Sequence, residues 1–177
     1  MPTTPAATSR HDLLTRLFHW ATMLLIVVQF ALGWTMPDAD SMSKPLGLML
    51  LHVDVGVLLL LIAVPRLFWS GARRGIAPVD QHPALALVAN ATHKLLYLGL
   101  IVVPLLGWLN ANGRGWTVGL GQSLALPTLA APHSLGAAIG EWHSAMATAF
   151  VILIGLHACA ALAHRFVMRD GVLDRMF

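Results

Sequence analysis

Four apolar runs, each of about 20 residues or more, set the limits on what this chain can become. They lie at approximately 13–36, 45–69, 86–110 and 138–165. A helix rises about 1.5 Å per residue, so each run is long enough to cross about 30 Å of hydrocarbon. In lipid every backbone N–H and C=O must find its partner within the protein, which makes helix the expected conformation of such runs. The chain is therefore expected to be an all-α membrane protein, a four-helix transmembrane bundle forming one domain over residues 1–177. Composition agrees, with 57% of residues hydrophobic and 11% charged, against about 45–50% and about 25% in soluble proteins. The polar start MPTTPAATSRHD leads into an apolar run too long for a signal-peptide core, so the first helix is expected to be retained.

Breakers punctuate the runs. Pro37 closes the first, Pro45 is placed in the first turn of the second, and Asn110 with Asn112 and Gly113 ends the third. Pro104 is expected to bend the third without ending it. Arg10, Arg16, Arg66, Arg73, Arg74, Lys94, Arg165, Arg169 and Arg175 gather at one side. The other side carries Asp38, Asp40, Lys44 and Arg114. The excess of Lys and Arg on cytoplasmic ends predicts an N-in, C-in topology. No basic face with interleaved aromatics suggests a nucleic acid partner. The partner implied by composition is membrane lipid.

Ionisable residues at membrane depth are costly enough to be read as functional. His143 and His157 both lie in the fourth run, fourteen residues apart. That spacing is a rise of roughly 21 Å and almost four turns, so the two rings leave one helix face within about 40° of each other. Their neighbours Ser144, Ala145, Ala147, Ala158, Ala160 and Ala161 are small enough to admit something flat and bulky. Depth then sorts the histidines. His19 lies about six residues, roughly 9 Å, inside the basic end of its run, and His157 about eight residues, roughly 12 Å, inside the same end. His52 and His143 lie roughly 8–11 Å inside the opposite end. Two inward imidazoles from different helices at one level make a bis-imidazole site, and the pattern supplies two such sites. Zinc is a poorer match, because pairs about 20 Å apart cannot share a tetrahedral ion and few thiolates or carboxylates join them. Haem, bound twice, is the expected cofactor. Cys159 is the lone cysteine and there is no C-x-x-C-H, so haem would be held by ligation and packing alone.

Spacing leaves one assignment open. The first and third runs repeat, HWATMLLIVVQFALGW from His19 and HKLLYLGLIVVPLLGW from His93, so His93 is by position an equal candidate for the partner of His157. Otherwise His93 is expected to hydrogen-bond a quinone or a propionate near the basic end, and His164 to bind a quinone head group or carry protons. Arg66 is expected to pair with haem propionates, and Gly56, one turn after His52, to make room for a porphyrin edge. Asp54 is expected to face away from the His52 ring. The loop 111–137 is long enough to act as a cap or binding surface. His11, His82 and His133 receive no role.

RLFHW in the first run, LHVDVG in the second, and EWHSAMA with GLHACAALAH in the fourth resemble the bacterial cytochrome b561 family of small membrane cytochromes. The resemblance covers nearly the whole chain. It implies a bacterial inner-membrane protein with two haem b groups, one on His52 and His143 and the other on His19 and His157. It further implies electron transfer from periplasmic superoxide, or from a redox partner protein, to ubiquinone. Besides a structural four-helix membrane protein in which the histidines only link helices, two other roles compete with this. One is the cytochrome b subunit of a hydrogenase-like or formate-dehydrogenase-like complex. The other is a haem-free transporter in which membrane histidines form a relay.

Overall fold

A computed structural model describes residues 10–39, 44–72, 83–121, 124–132 and 138–177. Four helices are each long and apolar enough to span a bilayer: α1 (Leu13–Thr35), α2 (Leu48–Ala72), α3 (Pro83–Gly113) and α4 (Ala138–Ala163). The helix α4 runs on through a π-helical turn, His164–Met168, and a short 3-10 turn follows at Leu173–Met176. One departure from an all-helical chain is a small antiparallel ribbon, β1 (Gly119–Leu120) with β2 (Leu124–Ala125). Arg73, Arg74, His82, His133 and Asp40, noted in the sequence, lie outside the described residues.

The ends follow local chemistry. Asp12 caps α1, its Oδ1 accepting from the Thr15 N–H at 2.9 Å and its Oδ2 from the Thr15 hydroxyl at 2.7 Å. Pro45 lies ahead of α2 instead of in its first turn, because Gly47 takes a left-handed conformation (φ 54°) and the helix starts only at Leu48. Pro104 sits inside α3, as expected, and Pro65 inside α2.

Consecutive helices pack together, α1 on α2, α2 on α3 and α3 on α4, whereas α1 and α4 do not pack extensively. A seam therefore runs between the first and last helices. Side chains such as Leu24, Val27, Leu61, Leu98, Ile152 and Leu156 point outward and exposed, as lipid-facing residues do. Two apolar clusters fill the interior. Ala63, Leu100 and Phe150 form the middle one, with Phe150 resting on the bare backbone of Gly99. Met49, Val57, Ala111, Trp116 and Val118 form the other, near the ribbon.

That second cluster shows what the described part of the loop after α3 does: it folds back as a cap. Asn112 Nδ2 donates to Trp116 O at 3.0 Å, and Asn112 Oδ1 accepts from the Leu129 N–H at 2.8 Å. Asp54 Oδ1 accepts from the Gly121 N–H at 3.0 Å, tying the ribbon to α2. A Cβ on Gly119 would strike the backbone carbonyl of Leu124. Gly119→Ala is therefore expected to lift the ribbon and expose its flanks to protease, with the helical circular dichroism unchanged.

At the opposite, basic end the chain closes on itself. The His11 N–H donates to Arg175 O at 2.9 Å, Arg16 Nη1 to Phe177 O at 2.7 Å and Trp20 Nε1 to Met176 O at 3.0 Å. The segments before α1 and after α4 thus lie on one side of the bundle, as an even number of spans requires.

Candidate functional site

Two histidines meet beneath the cap. His52 of α2 and His143 of α4 lie with ring centroids 6.2 Å apart and planes at 90°. An ion held about 2 Å from one nitrogen of each ring needs centroids about 6 Å apart. His143 Nδ1 donates to Val103 O at 3.0 Å, which leaves Nε2 free to ligate and fixes the ring's orientation. Gln29 Nε2 donates to His52 O at 3.0 Å and lies 3.2 Å from His52 Nε2. His52 Nδ1 and Gln29 Oε1 are buried without a hydrogen-bond partner among the described residues. A buried polar atom left so costs about 1–3 kcal/mol, and a bound group that engages it would remove that cost.

Glycines press against both rings. A Cβ on Gly33 would lie 3.3 Å from His52 Cε1, and one on Gly107 would lie 3.0 Å from His143 Cε1. These are the two glycines of the repeated L-G-W, so the internal repeat has a structural meaning: each copy supplies the backbone face on which one imidazole rests. Gly56 acts differently from the expected clearance for a porphyrin edge. A Cβ there would approach Gln29 Nε2 at 3.4 Å, so this glycine makes room for the glutamine that holds His52.

Open space flanks the pair. One cavity of about 320 Å³ reaches the seam, bounded there by Phe30 and Trp34 of α1 and by Ser144, Ala147 and Thr148 of α4. A smaller one of about 100 Å³ lies under the cap, against Met49, Trp116 and Val118. Both touch His52, His143, Gln29 and Pro104. The larger falls in the range of about 300–1,000 Å³ usual for cofactor sites. Paired imidazoles, an unpartnered ring nitrogen, glycine-cleared ring faces and an apolar chamber together fit a flat, metal-centred group such as haem.

A second histidine cluster lies at the other end of the α4 face. His93 of α3 and His157 of α4 meet edge to face, centroids 5.5 Å apart. His19 of α1 accepts at Nδ1 from Arg66 Nη2 at 3.2 Å, and the Arg66 guanidinium lies 5.4 Å from the centroid of the Tyr97 ring. The ring seated on His157 is His93, because α3 packs on α4 and α1 does not. Arg66 joins α1 to α3 at this level instead of reaching the aqueous edge. His164 Nδ1 donates to Asp170 Oδ2 at 2.6 Å. At the capped end Arg114 donates from Nη1 to Ala39 O at 3.1 Å and stacks over Trp116, while Lys44 is exposed.

Gln29, Gly33, Gly107 and Asp170 are site residues that sequence reasoning missed. The signal for Gln29 was a lone amide within LLIVVQFAL, and for the glycines the L-G-W repeat itself.

Comparison with known proteins agrees with this geometry. A model of the family described as prokaryotic cytochrome b561 matches residues 10–177. The cytochrome b562 of Cereibacter sphaeroides is 31% identical over 173 residues, covering 89% of this chain and 89% of the relative. Cytochrome b561 homolog 2 of Escherichia coli is 29% identical over 94% of this chain and 90% of its own length. The probable superoxide oxidase CybB of Yersinia pestis is 27% identical over 89% and 90%. Four membrane-spanning helices with paired imidazoles, and a family match across almost the full length, show that this chain belongs to the prokaryotic cytochrome b561 family, multi-pass membrane electron-transfer proteins that bind haem b.

Proposed function

We propose that this protein holds two haem b groups and moves electrons across the bacterial inner membrane from superoxide at the capped, periplasmic end to ubiquinone near the basic, cytoplasmic end. The observation that carries the reading is the placement of two imidazole clusters fourteen residues apart on the α4 face, each completed from another helix. When bound, two haems in series supply one-electron carriers that match a one-electron donor to an acceptor needing two. The superoxide donor is supported by the 27% identity to a probable superoxide oxidase.

His52 and His143 would be the axial pair of the outer haem, with Val103 O and Gln29 holding the rings. For the inner haem the axial pair would be His19 and His157. Room favours His19 over His93. The helices α3 and α4 pack closely, and the 5.5 Å centroid separation of His93 and His157 is short of the about 6 Å that two rings sharing an ion require. The helices α1 and α4 do not pack extensively, which leaves His19 and His157 free of a close helix contact between them. Arg66, half-buried beside His19 and Tyr97, would neutralise propionate charge. His93 and His164 are then left to hydrogen-bond the quinone. Arg114, stacked on Trp116 in the cap, would add positive charge at the outer approach.

The assignment is tested by two single substitutions. His19→Ala is expected to lose one of two haems per chain, as measured by the pyridine haemochrome method, and His93→Ala to retain both. Superoxide-dependent reduction of a short-chain ubiquinone by the purified protein tests the reaction. A rate no faster than in the protein-free control would sink it.

A further inference from the structure

The segment after α4 does more than end the bundle. His164 opens a π-helical turn, a geometry that is rare and concentrated at functional sites. Arg169 (φ 53°) and Gly171 (φ 72°) then take left-handed conformations and reverse the chain. The reversal brings Asp170 back under His164, whose Nδ1 donates to Oδ2 at 2.6 Å. The other carboxylate oxygen accepts from the Val172 N–H at 3.1 Å, so both oxygens are engaged. The pair is largely shielded, with side chains 22% and 23% exposed. Burial alone would raise the Asp170 carboxyl, but the hydrogen bonds from His164 and Val172 outweigh it and hold the group below the usual carboxylate range. It is a carboxylate at neutral pH. Nε2 of His164 makes no hydrogen bond to protein among the described residues.

We propose that Asp170 is the positioning residue of a proton-delivering dyad, fixing His164 with Nδ1 protonated and presenting Nε2 to a quinone oxygen. The proposal rests on the reading of His164 as a quinone contact. Reduction of a quinone to a quinol takes two electrons, which the family's electron transfer supplies one at a time, and two protons. At one oxygen the proton comes from His164: the Nε2–H bond breaks, the O–H bond forms, and the ring is left neutral with its remaining proton on Nδ1. Asp170 stabilises the imidazolium before transfer, and water at the exposed edge of the ring restores the proton.

A purely structural role for Asp170 is separable, because the same segment is anchored elsewhere. Arg165 Nη1 donates to Asp174 Oδ1 at 2.6 Å, and Trp20 Nε1 holds Met176 O. Asp174→Asn loosens the segment without touching the dyad. Asp170→Asn keeps an oxygen for the Val172 N–H and removes the charge.

The test uses the haem-loaded protein in lipid nanodiscs, reduced with dithionite and mixed with a short-chain ubiquinone or with ferricyanide, an acceptor that takes no proton. Haem reoxidation is followed by absorbance. Asp170→Asn is expected to slow reoxidation by quinone about 10–100-fold. Reoxidation by ferricyanide should be unchanged, and Asp170→Glu should recover part of the quinone rate. Asp174→Asn should behave as wild type with both acceptors. Equal quinone rates in Asp170→Asn and wild type, or equal slowing with both acceptors, would overturn the dyad. Wild-type protein that is reoxidised by ferricyanide but not by quinone would instead overturn the quinone reading on which the dyad stands.

Discussion

Replacing His52 by alanine is expected to remove one haem from each chain and leave the other in place. The reduced-minus-oxidised spectrum of the purified variant should fall to roughly half its amplitude, because one of the two proposed axial pairs would lose a ligand. The effect stays local for a structural reason. The two imidazole clusters are separated by roughly 21 Å along α4, with the Ala63, Leu100 and Phe150 cluster between them. The His52 ring touches Gly33 and Gln29, and its backbone carbonyl keeps the hydrogen bond from Gln29 after truncation. Loss of both haems, or of neither, would show that the outer pair is not an independent site.

The second large effect is steric. Gly107→Val is expected to lose the outer haem as completely as His143→Ala, although residue 107 has no group that could ligate a metal. Its Cβ would stand 3.0 Å from His143 Cε1, and the valine methyls would reach further into the ring. The imidazole must then turn away from the Val103 carbonyl that orients it. Overpacking of this kind costs about 1–3 kcal/mol, enough to favour a displaced ring. Gly155→Val is the matched control, since a Cβ there meets nothing within 4 Å. It should retain both haems. Normal haem content in Gly107→Val would mean that the glycine only eases helix approach.

Much of this arrangement could be read from the residues alone, because depth in a membrane is nearly a matter of counting. Rise per residue placed His52 and His143 at one level, and they meet there. Counting gives no reliable azimuth between helices. His19 and His93 occupy equal positions in the repeat, and only the packing of α3 on α4 sets His93 against His157. Gln29, Gly33 and Gly107 escaped for a related reason. Their roles depend on which neighbouring helix each residue faces, and a periodicity within one helix does not carry that information. The partner of Asp54, the Gly121 N–H, lies 67 positions on in a loop without periodicity. Asp170 was out of reach because two left-handed residues return it to His164, a reversal that hydropathy does not register.

The gap between α1 and α4 has a consequence for how such a protein is handled. Along that side the larger cavity is walled by residues that are themselves exposed, Trp34, Ser144 and Thr148, so acyl chains of the surrounding bilayer finish the enclosure. Solubilisation exchanges those chains for detergent tails of another length and order. The redox midpoint of the proposed outer haem should therefore shift between micelles and native lipid more than that of a centre sealed by protein on all sides.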